Sequence, residues 1–596
     1  SEILCLLGKE QFPDFKFDGD STLHLSGKGP AEQYRISARW DVTPAAYAFP
    51  GILEKPKGKP NTLACEIVFN DDQLLVPSFQ YDLGPIGVKG NAGNLFAPKT
   101  PVSFYIQSRA FDLGDVAPLL PGLRTSEPKG RGSIDLTGRG NLGDSTSFRW
   151  KGSLSLMNVS LKPPGNVKPL KGLTGKASFL GHRMETSLFK ASLGDSPFQM
   201  KCGIDQFRKP KFACQFDSAL LKTADLGLQS PEDEVNFQTV RGKIIFEDPY
   251  LHVDRLSFRL GKSRFHLAGD IRDFEHPKIT ASLHSRYIHW DDIDRLMSLK
   301  DPKRAETAST DVEISATLRV DAGVFHGIDF TRLNTRLRYA EEILTIETLE
   351  AGVFEGTVKG KLRMDKRPDG QTRYAADMSL DRISLDKIQG YLELDDRTVT
   401  GKLSLTGNLT ATGNNEEDLK KTAAGTFQVK AEKGVLKKFA VLSKIFSLLN
   451  VSQLFKFQLP DMARGGMPYN AITGKVTLEN GVLSSEDFFI AGDAMQMSLA
   501  GKIDYLKKEL DNIVGVHPLQ TVDKIVSRIP VAGWLVTDDK GNLITVHFKV
   551  TGTWDNPSVT AIPVQSVAKG TLDIFRRLFQ LPEKLITDTG EVILGR

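Results

Sequence analysis

GKIIFEDPYLHVDRLSFRLGKSRFHLAGDI, residues 242–271, decides the fold. Apolar and polar side chains alternate in Ser257-Phe258-Arg259-Leu260 and again in Arg264-Phe265-His266-Leu267. A period of two sends successive side chains to opposite faces of an extended strand, so one face is apolar and the other faces water. Gly261 separates the two runs, where its tolerance of positive φ suits a tight hairpin turn. The runs are too close together for a crossover helix, so the strands pair antiparallel.

The same frame recurs on both sides of this stretch. Gly242-Lys243 leads to Gly269-Asp270-Ile271, Gly175-Lys176 to Gly203-Ile204-Asp205, and Gly474-Lys475 to Gly501-Lys502-Ile503-Asp504. A fourth copy runs from Asn334 to Gly360-Lys361-Leu362 and a weaker one from Thr62 to Gly90. Internal glycines at 194, 261, 352 and 492 stand eight or nine residues before the closing ones. Each unit therefore reads as about three strands with turns at the glycines. A proline-marked turn and another strand follow, as at Pro210-Lys211-Phe212 and Pro277-Lys278-Ile279. Short stretches with helical spacing come next, Phe111 to Leu120, Ile288 to Met297 and Ile383 to Leu392, with Asp112, Asp291 and Asp386 where an N-cap is expected.

The chain's 596 residues exceed one ordinary core, which suits a repetitive architecture. At ~4.8 Å per strand, roughly 35–40 strands in one ribbon would extend on the order of 150–200 Å. The expected class is mainly β: an elongated antiparallel sheet built from repeats, with an open groove, short interspersed helices and amphipathic helices near the C-terminus. Residues 1–420 read as the repetitive sheet, 421–563 as a region with helices and closing strands, and 564–596 as a terminal helix and tail. In that last third, Leu436, Phe439, Leu442, Phe446 and Leu449 form a helical stripe, and Leu519, Val522, Ile525, Val526 and Ile529 a second.

Charge and composition exclude several classes. The 77 basic and 73 acidic residues nearly balance, and no basic stripe marks a nucleic-acid surface. No run of eighteen apolar residues spans a membrane. The opening Ser1-Glu2-Ile3 lacks a start methionine, as in a processed or truncated chain from which a targeting segment or anchor has been removed. The cysteines at 5, 65, 202 and 214 lack zinc spacing; Cys202 and Cys214 face each other if a hairpin centres on Arg208-Lys209-Pro210, as a disulfide or as buried thiols.

Catalytic motifs are weak. Gly261-Lys262-Ser263 resembles the end of a phosphate-binding loop, but Leu256 stands where its first glycine belongs. His252, His266, His276, His284 and His289 cluster in one unit without acidic ligands at metal spacing, and Asp291, Asp292 and Asp294 suit a helix start better than a cation. No cofactor is expected.

Two surfaces carry the functional expectation. Ile244, Phe246, Phe258, Leu260, Phe265, Leu267, Ile279, Ala281 and Leu283 would line an apolar wall within one unit. A helix from about Pro563 to Leu581 gathers Leu572, Phe575, Leu578 and Phe579 on one face, with Arg576 and Arg577 elsewhere; it either closes the sheet end or meets a membrane surface or partner.

In the last third, Val399 through Gly407, Ile472-Thr473-Gly474-Lys475, Leu499 through Asp504, Pro518 through Gly533, and Val550-Thr551-Gly552-Thr553-Trp554-Asp555-Asn556-Pro557 stand in a fixed order. Together they resemble the AsmA-like family of bacterial envelope proteins, related to bridge-like lipid-transfer proteins. The resemblance is densest from Gly425 to Pro563. It implies a periplasmic, curved sheet anchored in the inner membrane by a segment outside this chain. It further implies a concave apolar side that holds phospholipid or other acyl lipid, with a role in transport to the outer membrane. The competing expectation is a non-enzymatic assembly factor acting through contacts with envelope proteins. An enzyme acting on polysaccharide is the weakest alternative, since no carboxylate pair is visible.

Overall fold

The computed structural model describes residues 16–49, 53–70, 73–95, 97, 100–141, 144–163, 165–207, 209–229, 235–300, 312–392, 399–437, 440–448, 466–493, 495–519 and 545–579. Thirty-one of the strands belong to one sheet, and Lys16–Asp18, Ala46–Phe49 and Leu53–Lys55 form a second, three-stranded one. Pairing is antiparallel between chain neighbours, as in Asn236–Glu247 with Tyr250–Leu260 and the latter with Ser263–Arg272. The mainly β, antiparallel class expected from the alternation is the one adopted. The chain divides into two compact units, Ser1–Leu283 with Asp291–Thr310, and His284–Trp290 with Asp311–Arg596.

Glycine works differently from the expectation of a turn at every repeat glycine. Gly194 and Gly261 do occupy hairpin tips, at φ +57° and +54°. Near Gly352 the tip is instead Phe354-Glu355, and Gly352 lies inside the strand Ile343–Val353. The opening and closing glycines sit mid-strand. A Cβ on Gly242 would lie 2.1 Å from Phe216 Cζ, and one on Gly269 would lie 2.3 Å from the Thr280 carbonyl oxygen. The missing Cβ there supplies room for a ring or a neighbouring backbone.

The helical segments following the strands are α1 (Trp290–Met297) and α2 (Leu385–Tyr391), with two short turns, Leu113–Val116 and Ala117–Leu119, in the earliest copy. Asp112 caps as expected, its carboxylate accepting from the Gly114 N–H at 2.8 Å. The neighbouring Asp292, rather than Asp291, does the buried work in its copy. It is 3% exposed and reaches back to the preceding hairpin, accepting from Lys262 N–H and Ser263 N–H at 3.0 Å and from Ser263 Oγ at 2.6 Å. Asp225 does likewise for Asp195 N–H (3.1 Å) and Ser196 Oγ (2.7 Å). Asp386 accepts from the Gly401 N–H at 3.4 Å and does not cap α2. The buried carboxylates of Asp225 and Asp292 are satisfied by hydrogen bonds, as burial requires, and tie their segments to the preceding hairpins.

Further helices are α3 (Glu416–Thr422), α4 (Ala440–Leu448) and α5 (Lys569–Phe579). Helix α3, which the apolar spacing did not announce, is capped by Asn415, accepting from Asp418 N–H at 2.9 Å, and laced by Lys420–Glu416 and Lys421–Glu417 pairs. Of the two C-terminal stripes, Phe439, Leu449 and residues 522 to 529 lie outside the described residues. Cys202 and Cys214 are directly paired across a hairpin and bonded as a disulfide, so the first of the two readings holds; Cys65 is a free, half-buried thiol.

Candidate functional site

In an antiparallel ladder, residues directly opposite one another share a face. Within the first unit one such row begins at Leu23, Trp40, Leu63, Tyr81, Val88 and Ile106. It continues through Leu136, Gly152, Phe179, Met184 and Ile204 to Phe212, Phe246, Leu251 and Ile271. Every member is apolar or glycine. A parallel row on the same face runs Phe189–Met200–Phe216–Gly242–Leu256–Leu267. One residue away, the opposite face carries Lys190–Gln199–Asp217–Arg241–Ser257–His266.

The second unit repeats the pattern on different strands. Ala316, Leu337, Ile346, Leu362, Ala376 and Leu409 lead through Gly425 to Leu478, Leu483, Ile503 and Leu510. The adjacent row on the other face is polar throughout: Lys361–Asp377–Asn408–Thr426–Thr477–Ser484–Lys502–Asp511–Thr551–Ser558. The sheet is thus two-faced strand after strand, not merely within one hairpin.

Each groove candidate can now be placed. Ile244 and Phe246 share their face with Leu251, Val253 and Ile271. A bulge between Val253 and Leu256 keeps Leu256, Phe258 and Leu260 on that face, opposite Leu267, Phe265 and Ser263. Phe258 and Phe265 stack at 4.9 Å. Ile279, Ala281 and Leu283 are the half-buried positions of the strand Lys278–His289, alternating with exposed Lys278, Thr280 and Ser282. Leu260 and Phe265 are buried, and the rest are half-buried. Their partial exposure is informative: side chains sealed beneath a second layer would be buried, and most of these are not.

His252 and His266 lie on the polar face, His276 in a loop, and His284 at an exposed strand position. His252 Nδ1 lies 2.7 Å from the Asp270 carboxylate, which also accepts from the Tyr250 hydroxyl. These two hydrogen bonds, Tyr250's first, hold the Asp270 carboxyl below the usual carboxylate range. His284 pairs with Asp321 at 3.8 Å and His276 with Asp273 at 3.9 Å. Among the described residues no three His, Cys, Asp or Glu side chains gather to hold a metal ion.

At the C-terminal end the apolar face acquires a roof. Ile383, Leu403, Ala431, Ile472, Ile490, Met497, Val516 and Val546 form a row parallel to the long one. Helix α4 packs over this end with Ile445 fully buried, and its Lys444 Nζ donates to Asn556 Oδ1 (3.2 Å) and to the Pro557 carbonyl. Between helix and sheet lies a cavity of about 490 Å³. Sequence spacing pointed to the stripe on α4 but gave no sign of the cavity, which depends on how far the helix stands off the sheet.

The terminal helix α5 sits on the opposite face of the same strands. Phe575 is 1% exposed and stacks on His547 at 6.1 Å between ring centres, while Leu578 and Phe579 pack against Ala471, Phe489 and Ala491. Leu572 is half-buried, and Arg576 and Arg577 are exposed. The helix's apolar face is therefore spent on the sheet, leaving the two arginines as its outward feature. Burial pushes the His547 imidazole down to about 4.

No curated protein and no solved structure matches the chain. The family model described as YhdP protein matches residues 262–559, reaching well upstream of the segments whose resemblance is densest. On that match, the chain belongs to the YhdP protein family.

Proposed function

We propose that the chain is a periplasmic lipid-binding and lipid-transfer protein that holds acyl chains of phospholipid against its apolar face for movement between the inner and outer membranes. The observation that carries the reading is the pair of neighbouring rows, one apolar and one polar, continued over many strands with most apolar-row side chains only half-buried. Membership of the YhdP family, which belongs with the AsmA-like and bridge-like lipid-transfer group, supports it.

The energetics suit cargo that slides. An acyl chain gains about 0.8 kcal/mol per fully buried CH₂, and roughly half that when only one side is covered. Successive positions along a uniform wall differ little, so translation along the row meets no large barrier and needs no covalent chemistry. In this reading the chain is not an enzyme and takes no cofactor; its partners are acyl lipid, a membrane surface and envelope proteins that position it. The cross-strand Cys202–Cys214 bond accords with an oxidising compartment such as the periplasm.

Native mass spectrometry and lipid extraction of the purified chain test the proposal. Co-purifying phospholipid in several copies per chain is the expected result. A chain that stays lipid-free after exposure to phospholipid vesicles would instead favour an assembly factor working through protein contacts.

A further inference from the structure

We propose that the cavity beneath α4 is a discrete seat for the end of one acyl chain, bound more tightly than anything on the open face leading to it. The proposal rests on the lipid reading above and adds a defined site, stoichiometry and occupant to it.

Continuity comes first. Ile503 and Leu510, the last side chains of the long apolar row in the second unit, line the cavity, as do Ala431, Ile472 and Met497 of the parallel row. A hydrocarbon lying along the open rows therefore runs beneath the helix without crossing a polar barrier.

Lining chemistry selects the class of ligand. Among the described residues no charged side chain borders the cavity, and Leu, Ile, Val and Met dominate it. A polar or ionised ligand would lose its hydration there with almost nothing in return, whereas an aliphatic chain loses none. The lining also includes the polar side chains of Ser498 and Asn512, and Asn512 stands opposite Gly501 and Val550. It is 3% exposed, and its Oδ1 has no hydrogen-bond partner among the described residues.

Size limits the number of chains. The cavity, about 490 Å³, falls in the ~300–1,000 Å³ range of small-molecule sites. With a methylene taken as about the size of a water molecule, ~30 Å³ in the liquid, roughly sixteen carbons fill it. That is one chain, not a two-chain lipid with its headgroup. On the open wall such a chain is covered on one side; under α4 it is covered on both, which raises the apolar area removed from water. Two classes of binding follow, one tight seat per chain and many weak positions along the face.

The test is a titration of the full chain with cis-parinaric acid, a fluorescent eighteen-carbon fatty acid, read both directly and through emission sensitised by tryptophan. Trp554 lines the cavity and is 41% exposed, so it serves as the donor. The wild-type chain should show one tight saturable component per chain with sensitised emission, above a weak non-saturating one. Ala431→Phe should weaken the tight component at least tenfold and spare the weak one; should that variant lose its cooperative unfolding transition, Leu442→Trp fills the cavity from the helix side and should act alike. Trp554→Phe should remove most of the sensitised emission while the directly excited signal still reports binding. A tight component unchanged in both filled variants, or sensitised emission unchanged by Trp554→Phe, overturns the seat. Weak binding alone overturns the seat and leaves the lipid reading standing; no binding of either kind overturns both.

Discussion

Two stretches of the second unit carry the same alternation and end in different surroundings. In the strands Ile343–Val353, Gly356–Lys366 and Lys402–Thr412, the row residues Ile346, Leu362 and Leu409 are only half-buried. In the strands Met467–Glu479, Met495–Asp504 and Glu509–Pro518, the long row's Leu478, Ile503 and Leu510 stay half-buried, while Ile472, Met497 and Val516 of the parallel row beneath the helix are 6%, 3% and 0% exposed. The difference is the cover and not the sheet: α4 lies on one face of the later strands and α5 on the other. An antiparallel strand pattern thus specifies which face is apolar, while elements elsewhere in the chain decide whether that face becomes core or surface.

Replacing a row residue with aspartate should separate the two regions most sharply. Val516→Asp puts an unpaired charge where no water reaches and should cost about 4–5 kcal/mol, enough to abolish the folding transition of that end in urea. Leu362→Asp, on the open row, should cost no more than about 1 kcal/mol. Equal losses would mean that the open row is as enclosed as the covered one.

Removing the outer cover comes next in size. Phe575→Ala deletes a buried ring between α5 and the sheet and should destabilise that interface by about 3–4 kcal/mol. Protease digestion followed by mass spectrometry should then find α5 cleaved while the strands from Lys16 to Ser384 stay protected.

A pH dependence between pH 7 and pH 5 should show at the covered end. His547 is neutral when folded, with its proton affinity pushed down to about 4 from an ordinary 6.5. The unfolded chain therefore binds the extra proton first, so stability is complete above pH 6.5 and falls as pH drops from 6.5 towards 4. At ~1.4 kcal/mol per pH unit the loss is on the order of 3 kcal/mol. Hydrogen exchange in α5 at pH 7 and pH 5 would read it, and His547→Phe should flatten the difference.

Smaller effects are expected on the open wall of the first unit. Leu267→Asp should lower bound lipid severalfold while shifting the midpoint of unfolding by about 1 kcal/mol or less. A large loss of stability with unchanged lipid would contradict an open wall there.

The two-faced sheet was legible because period two is a local property. Ile244, Phe246, Phe258 and Leu260 could be put on one side by counting alone. Counting should have failed at the bulge after Val253, yet Leu256, Phe258 and Leu260 themselves alternate, and the ladder absorbs the extra residue. The role of glycine was half legible: a hairpin tip and a mid-strand position under a phenylalanine ring look identical until the neighbouring strand is known, as Gly261 and Gly242 show. Asp292 was hidden for the same reason. Its partners, Lys262 and Ser263, lie thirty and twenty-nine residues away, beyond any local rule. The cavity under α4 was not legible at all, since it arises from the spacing of two elements and not from either one.

If the chain carries lipid as proposed, lipid lies on one face of the sheet and not on the other, and neighbouring residues of single strands can decide it. A photoreactive benzoylphenylalanine placed at Leu362 or Leu409, compared with one at Lys361 or Asn408, samples the two faces one residue apart. After irradiation in cells or with phospholipid vesicles, phospholipid adducts should form at 362 and 409 and be absent at 361 and 408. Adducts of equal yield on both faces, or on the polar face alone, would contradict it.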